Sequence, residues 1–132
     1  MKYLTAEELL FILELLLTEF GGIRGVTEAG FGRLETVVSV PQQSMFGVDL
    51  FEDLPSKAAA LTHAITRNHP FSDGNKRVAV VALVEMLERN GATLTATNDE
   101  VYEFAMAAAK KLDREEVSAW VAAHTRVENQ AL

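Results

Sequence analysis

Residues Asn75 to Arg89 set the terms for the rest of the chain. From Val78 onward the run reads Val-Ala-Val-Val-Ala-Leu-Val-Glu-Met-Leu-Glu-Arg, apolar on nearly every side except at Glu85 and Glu88. Its valines would suit a strand, but length decides for a helix. The stretch has fifteen residues, with Asn75 as a cap in front and Asn90-Gly91 as a stop behind. A helix that is apolar on most sides is buried on most sides. The remaining segments must therefore wrap it, and that burial fixes its N-terminus rigidly.

What stands at that N-terminus is polar: Asn68-His69-Pro70-Phe71-Ser72-Asp73-Gly74-Asn75-Lys76-Arg77. Asp73-Gly74 is a turn signal, and Gly74 tolerates positive φ. Asn75 suits the N-cap. Lys76 and Arg77 then fall in the first helical turn, the wrong end of the helix dipole for cations. An anion seated on that helix end, above all a phosphate, removes the conflict. Arg67, one turn before the motif, is close enough in sequence to reach the same phosphates.

The other segments also read as helices. Thr5-Ala6-Glu7-Glu8 is a capping box before an apolar helix ending at Gly21-Gly22, and the apolar body from Leu9 to Leu17 asks for burial by core or by a partner. Gly21 to Gly32 holds five glycines and reads as a connector. Arg33 to Val40 is a short helix or strand ending at Pro41, followed by a loop from Pro41 to Gly47. Asp49 to Asn68 reads as a helix with Pro55 near its start, and His63 as a core or surface histidine. Ala92 to Ala96 is an extended link. Thr97 and Asp113 start two further helices, in which Trp120 is a core anchor and His124 has no assigned role. Val127 to Leu132 reads as a frayed tail. The expected fold is all-α, a single bundle of about six helices forming one domain over residues 1–132.

The absence of cysteine excludes disulfides and Cys-based metal sites. A net charge of −7 argues against sequence-independent nucleic-acid binding. The N-terminal residues do not read as a signal peptide, and the run Leu9 to Leu17, broken by Glu14, is too short to span a bilayer. The expectation is a cytoplasmic protein with neither membrane nor direct nucleic-acid partner. No Gly-x-x-x-x-Gly-Lys-Ser/Thr occurs, and no His-Glu-x-x-His, so neither a P-loop nor a zinc hydrolase is expected.

The stretch His69 to Arg77 resembles the signature of the Fic/Doc family, His-x-Phe-x-(Asp/Glu)-Gly-Asn-Gly-Arg-x-x-Arg. Lys76 stands where Fic enzymes carry the second glycine, and Val80 where they carry the final arginine. Both departures match the Doc branch, the death-on-curing toxins. Gly21 to Gly25, Gly32 to Glu35, Asp53 to Leu61 and Leu87 to Gly91 also look like Doc segments, so the likeness runs from about Leu4 to Arg126. The resemblance implies a kinase that moves the γ-phosphoryl of ATP to a threonine of translation elongation factor Tu, where Fic enzymes instead transfer AMP. It also places a target-docking flap at Pro41 to Gly47. The family's self-inhibition motif, Ser/Thr-x-x-x-Glu-Gly/Asn, is absent: Glu128-Asn129 is preceded at the required spacing by His124. Control is then expected from a second chain, a Phd-like antitoxin. A Fic-type AMP transferase and a Fic-fold module that binds without turnover are the alternative readings.

Transfer to a protein hydroxyl needs a base, a metal and clamps for phosphate charge. His69 fits the general base. Asp73 fits Mg²⁺, which takes one or two carboxylates together with phosphate oxygens. Asn75 and the backbone N–H groups after Gly74 fit phosphate oxygens, with Lys76 and Arg77 neutralising charge on the transferred group. Phe71 fits a hydrophobic plug that orients the loop.

Overall fold

Thr5 and Glu8 close a reciprocal capping box, and the first helix, α1, follows from Ala6 to Phe20, stopped by Gly21. In the computed structural model of the chain, residues 1–128 are described, and six α-helices run through them. The others are α2 (Gly30–Ser39), α3 (Leu54–Asn68), α4 (Asn75–Arg89), α5 (Asn98–Lys110) and α6 (Arg114–Ala123). Capping boxes at Thr97/Glu100 and Asp113/Glu116 start α5 and α6 where the sequence signals them. The all-α reading holds, with two small additions. Strands β1 (Ser44–Met45) and β2 (Val48–Asp49) form a hairpin, and β3 (Ala92–Leu94) pairs antiparallel with β4 (Thr125–Val127).

Those strands refine or correct four expectations. The link after Gly91 is a ladder strand, and Val127 belongs to its partner instead of a frayed tail; Asn129 to Leu132 lie outside the described residues. The loop after Pro41 is a hairpin turned by Phe46 and Gly47, both at positive φ (53° and 79°), which matches the twist of paired strands. α3 starts at Leu54, five residues later than expected from Asp49, because Asp49 is held in β2. The Asp53 carboxylate accepts from the Ser56 N–H at 2.8 Å and caps the helix there.

α4 shares the centre with α3, which has nine buried residues to its six. Ala58, Ala59, Ala60 and Ala64 give α3 small buried side chains on several sides, and α2, α4, α5 and α6 all pack against this helix. α1 lies against α4, tied by Arg89, which pairs with Glu8 of α1 and with Glu85 one turn back. Val80 and Val81 stay half-buried because that side of α4 faces an open cleft. α1 divides its apolar residues: Leu9, Ile12, Leu13 and Leu17 enter the core, while Phe11 and Leu15 face outward. Trp120 stacks on Phe104 at 3.9 Å and on His124 at 4.1 Å, so His124 completes a three-ring stack at the core's edge. Lys57 is 2 % exposed; its ammonium donates to Pro41 O, in the turn before β1, and to Asp49 Oδ2 of β2, tying both to α3. No helix among the described residues is long and apolar enough to cross a membrane.

Candidate active site

α3 ends on His69, whose backbone is left-handed (φ 46°, ψ 61°). That conformation is costly for a non-glycine residue and needs outside support. The support comes from the other side of the chain: the His69 carbonyl accepts from the Thr27 hydroxyl (3.3 Å) and from the Arg33 guanidinium (3.5 Å). Thr27 N–H donates to Pro70 O at 3.0 Å, Val26 forms an antiparallel bridge with Phe71, and Ser72 N–H donates to Gly25 O at 3.0 Å. The glycine-rich segment thus runs antiparallel to the motif as a template, and is more than a connector. Phe71 is buried in the core, as a plug should be, while His69 is exposed and lines the cleft.

Gly74, at φ 84°, occupies the N-cap of α4, so the cap falls one residue earlier than the sequence suggests. Asn75 is the first helical residue and turns its side chain backward. Its Oδ1 accepts from Phe71 N–H (3.1 Å) and its Nδ2 donates to Phe71 O (2.9 Å). Asn75 therefore braces the loop before α4 and keeps only its second amide hydrogen to offer a ligand. The first intrahelical bond of α4 runs from Val78 N–H to Gly74 O at 2.9 Å, and no side chain caps the N–H groups before it. By contrast, α1, α3, α5 and α6 are each capped by an oxygen side chain. The α4 end carries exposed Lys76 and Arg77 instead of an acid, and Arg77 lies over the Phe20 ring at 5.0 Å.

Asp73 is held at both carboxylate oxygens: Oδ1 accepts from Gly74 N–H (2.9 Å) and Oδ2 from Ile23 N–H (3.1 Å). Each oxygen keeps a further lone pair. A single hard carboxylate with free lone pairs is a donor that fits Mg²⁺ when phosphate oxygens complete the shell. Among the described residues no group of three or more His, Asp or Glu side chains forms a metal cage, so Asp73 would share the ion with phosphate oxygens.

The structure departs from the sequence reading at Arg67. Its guanidinium donates to the Leu112 carbonyl, and the side chain is absent from the lining of the cleft. Together with burial, the larger cause, the Arg67 charge holds the His63 pKa below its ordinary value. A helix places residues one turn apart on one face, but α3 turns Arg67 toward the start of α6, away from the cleft. His69, Asp73, Gly74, Asn75, Lys76 and Arg77 do come together in the lining of one cleft. The cleft holds about 920 Å³. Its apolar lining includes Val80 and Val81 of α4 and Val101, Ala105 and Met106 of α5.

Sequence reasoning missed Ile23, Thr27 and Arg33 because their contacts lie 36 to 50 residues away along the chain. The only local signal was the density of glycines. Gly30 shows what those glycines do: a Cβ there would lie 2.4 Å from Val26 Cβ and 2.6 Å from the Pro70 carbonyl oxygen. Backbone cannot yield as a side chain does, so Gly30→Ala is expected to cost about 3 kcal/mol. Chemical denaturation checks this; an unchanged midpoint would contradict the close approach of Gly30 to Pro70.

The chain is similar to known proteins along this frame. The model of the Fic/DOC family matches residues 3–87. "Toxin Doc" of Mycolicibacterium smegmatis is 42% identical over 80 residues, which cover 61% of this chain and 60% of that toxin's length. "Protein kinase doc" of Escherichia phage P1 is 30% identical over 91 residues, covering 69% of this chain and 70% of that kinase.

Proposed function

Since the chain belongs to the Fic/Doc family, in its Doc branch, we propose that it is a toxin kinase, moving the γ-phosphoryl of ATP to a Thr or Ser hydroxyl of a translation factor resembling elongation factor Tu. The observation that carries this reading is the uncapped N-terminus of α4, set with Lys76 and Arg77 and facing one cleft with His69 and Asp73. Backbone N–H groups and cations converge there on a site for a polyanion.

In the proposed reaction His69 takes the proton of the acceptor hydroxyl as its oxygen bonds to the γ-phosphorus, and the bond to the ADP oxygen breaks. The α4 amides, Lys76 and Arg77 meet the charge spread over the equatorial oxygens. Asp73 would hold Mg²⁺, which when bound neutralises phosphate charge. Asn75 keeps Phe71, and with it the loop, in register. Val80 lines the cleft without offering charge, and this favours a terminal phosphoryl group over the AMP transfer that an arginine there serves in Fic enzymes. The exposed Met45, Phe46 and Val48 of the β1–β2 hairpin fit a target-docking flap.

The apolar part of the cleft lining supports the antitoxin reading. Part-exposed Val101 and Met106, with exposed Phe20 and Tyr102 at the cleft wall, suit a segment of a Phd-like partner that covers the site. Action on the translation machinery would be cytoplasmic. The chain expressed alone is expected to arrest growth, and the purified protein to bind ATP with Mg²⁺ by isothermal titration. High-yield expression without a growth defect, together with no heat of nucleotide binding, would favour a non-catalytic binding module.

A further inference from the structure

We propose that Gly22 is a positioning residue for the metal ligand: by lacking a side chain it lets the Ile23 N–H fix the Asp73 carboxylate, and so sets how tightly the site holds its divalent cation. This rests on the reading of Asp73 as a Mg²⁺ ligand.

A carboxylate binds a cation well when its free lone pairs are aimed before the ion arrives. Asp73 is exposed, and packing alone does not fix its rotation. Two backbone N–H groups do so, one on each oxygen: Gly74 from its own turn at 2.9 Å, and Ile23 from the loop after α1 at 3.1 Å. The second donor reaches Asp73 only because residue 22 is glycine. A Cβ there would stand 2.9 Å from Asp73 Oδ2 and 2.9 Å from Leu17 Cδ2. Leu17 is packed in the core while Asp73 is exposed, so the carboxylate is the neighbour that gives way. Gly25 provides a contrast within the same loop. It too has positive φ, at 114° against 129° for Gly22, but its Cβ would meet only Ser72 Oγ, at 3.7 Å. Substitution at either glycine strains the backbone; only at Gly22 does it push on the carboxylate.

The experiment measures Mn²⁺ binding by electron paramagnetic resonance, in the presence of ATP, for the wild type, Gly22→Ala and Gly25→Ala. The expected result is affinity weakened about tenfold in Gly22→Ala, as when a group that orients a metal ligand is lost, and little change in Gly25→Ala. Equal affinity in the wild type and Gly22→Ala overturns the proposal, as does an equal loss in Gly25→Ala, which would assign the effect to loop strain. A second readout needs neither metal nor substitution at Gly22: the Ile23 amide resonance of the metal-free protein is expected to move in Asp73→Asn. An unmoved resonance overturns the contact itself. If the resonance moves but the wild type with ATP binds no Mn²⁺, the metal role of Asp73 fails, and the proposal about the cation with it.

Discussion

His69→Asn is expected to lower phosphoryl transfer by about 10³-fold, the usual scale for loss of a general base, and to abolish growth arrest while the fold persists. Asparagine is the informative replacement because position 69 sits at φ 46°, where asparagine is tolerated far better than alanine. His69→Ala should lose the same activity, with about 1 kcal/mol of added instability from forcing alanine into that conformation. The His69 side chain is exposed, and the loop is held by its backbone carbonyl and by the groups around Phe71, so neither change removes packing. Transfer assays and thermal melts on the same preparations check this. Full growth arrest by well-expressed His69→Asn would contradict the general-base role.

The largest expected effect on stability is at Phe71. Its ring is 1 % exposed, and its backbone is gripped by both ends of the Asn75 amide and by the bridge to Val26. Phe71→Ala removes a buried aromatic ring and leaves a cavity, at a cost of about 3–5 kcal/mol. That is a large share of the roughly 5–15 kcal/mol that holds a domain folded, and the melting temperature should fall by about 10 °C or more. Because the same residue anchors the loop between His69 and Asp73, nucleotide affinity should fall as well. Phe71→Leu, which keeps most of the volume, should restore much of both. A melting temperature in Phe71→Ala equal to the wild type would contradict the description of Phe71 as a core plug.

The sequence announces features that depend on neighbours in the chain. The α4 boundaries, Asn75 and Arg89, follow from apolar length and end signals, and the capping boxes at Thr5, Thr97 and Asp113 each start a helix where they are read. What it withholds depends on distant contacts. Asn75 looks like a cap because asparagine often is one, yet Phe71 claims both ends of its amide and Gly74 takes the cap. Arg67 looks aimed at the motif by spacing alone, but Leu112, 45 residues on, receives its guanidinium. The β3–β4 pair joins segments whose short runs carry no strand pattern of their own, so only the folded chain reveals them. The candidate site's residues were legible in one stretch of sequence because they are neighbours in the chain and line one cleft. Its scaffold was not, because Thr27, Arg33 and Ile23 act from the far side of the loop.

Which phosphate moves separates a Doc-type kinase from a Fic-type AMP transferase. In Fic enzymes a glycine lets the nucleotide approach the helix N-terminus at the position Lys76 occupies here, and an arginine clamps the phosphates at the position of Val80. A lysine at the first place and an uncharged side chain at the second suit a terminal phosphoryl group. Two parallel reactions decide it, each with the purified chain, Mg²⁺ and elongation factor Tu, one with ATP labelled at the γ-phosphate and one at the α-phosphate. Label is expected on a Thr or Ser of the target from the γ-phosphate alone. Label entering only from the α-phosphate would contradict the kinase reading and establish AMP transfer in its place.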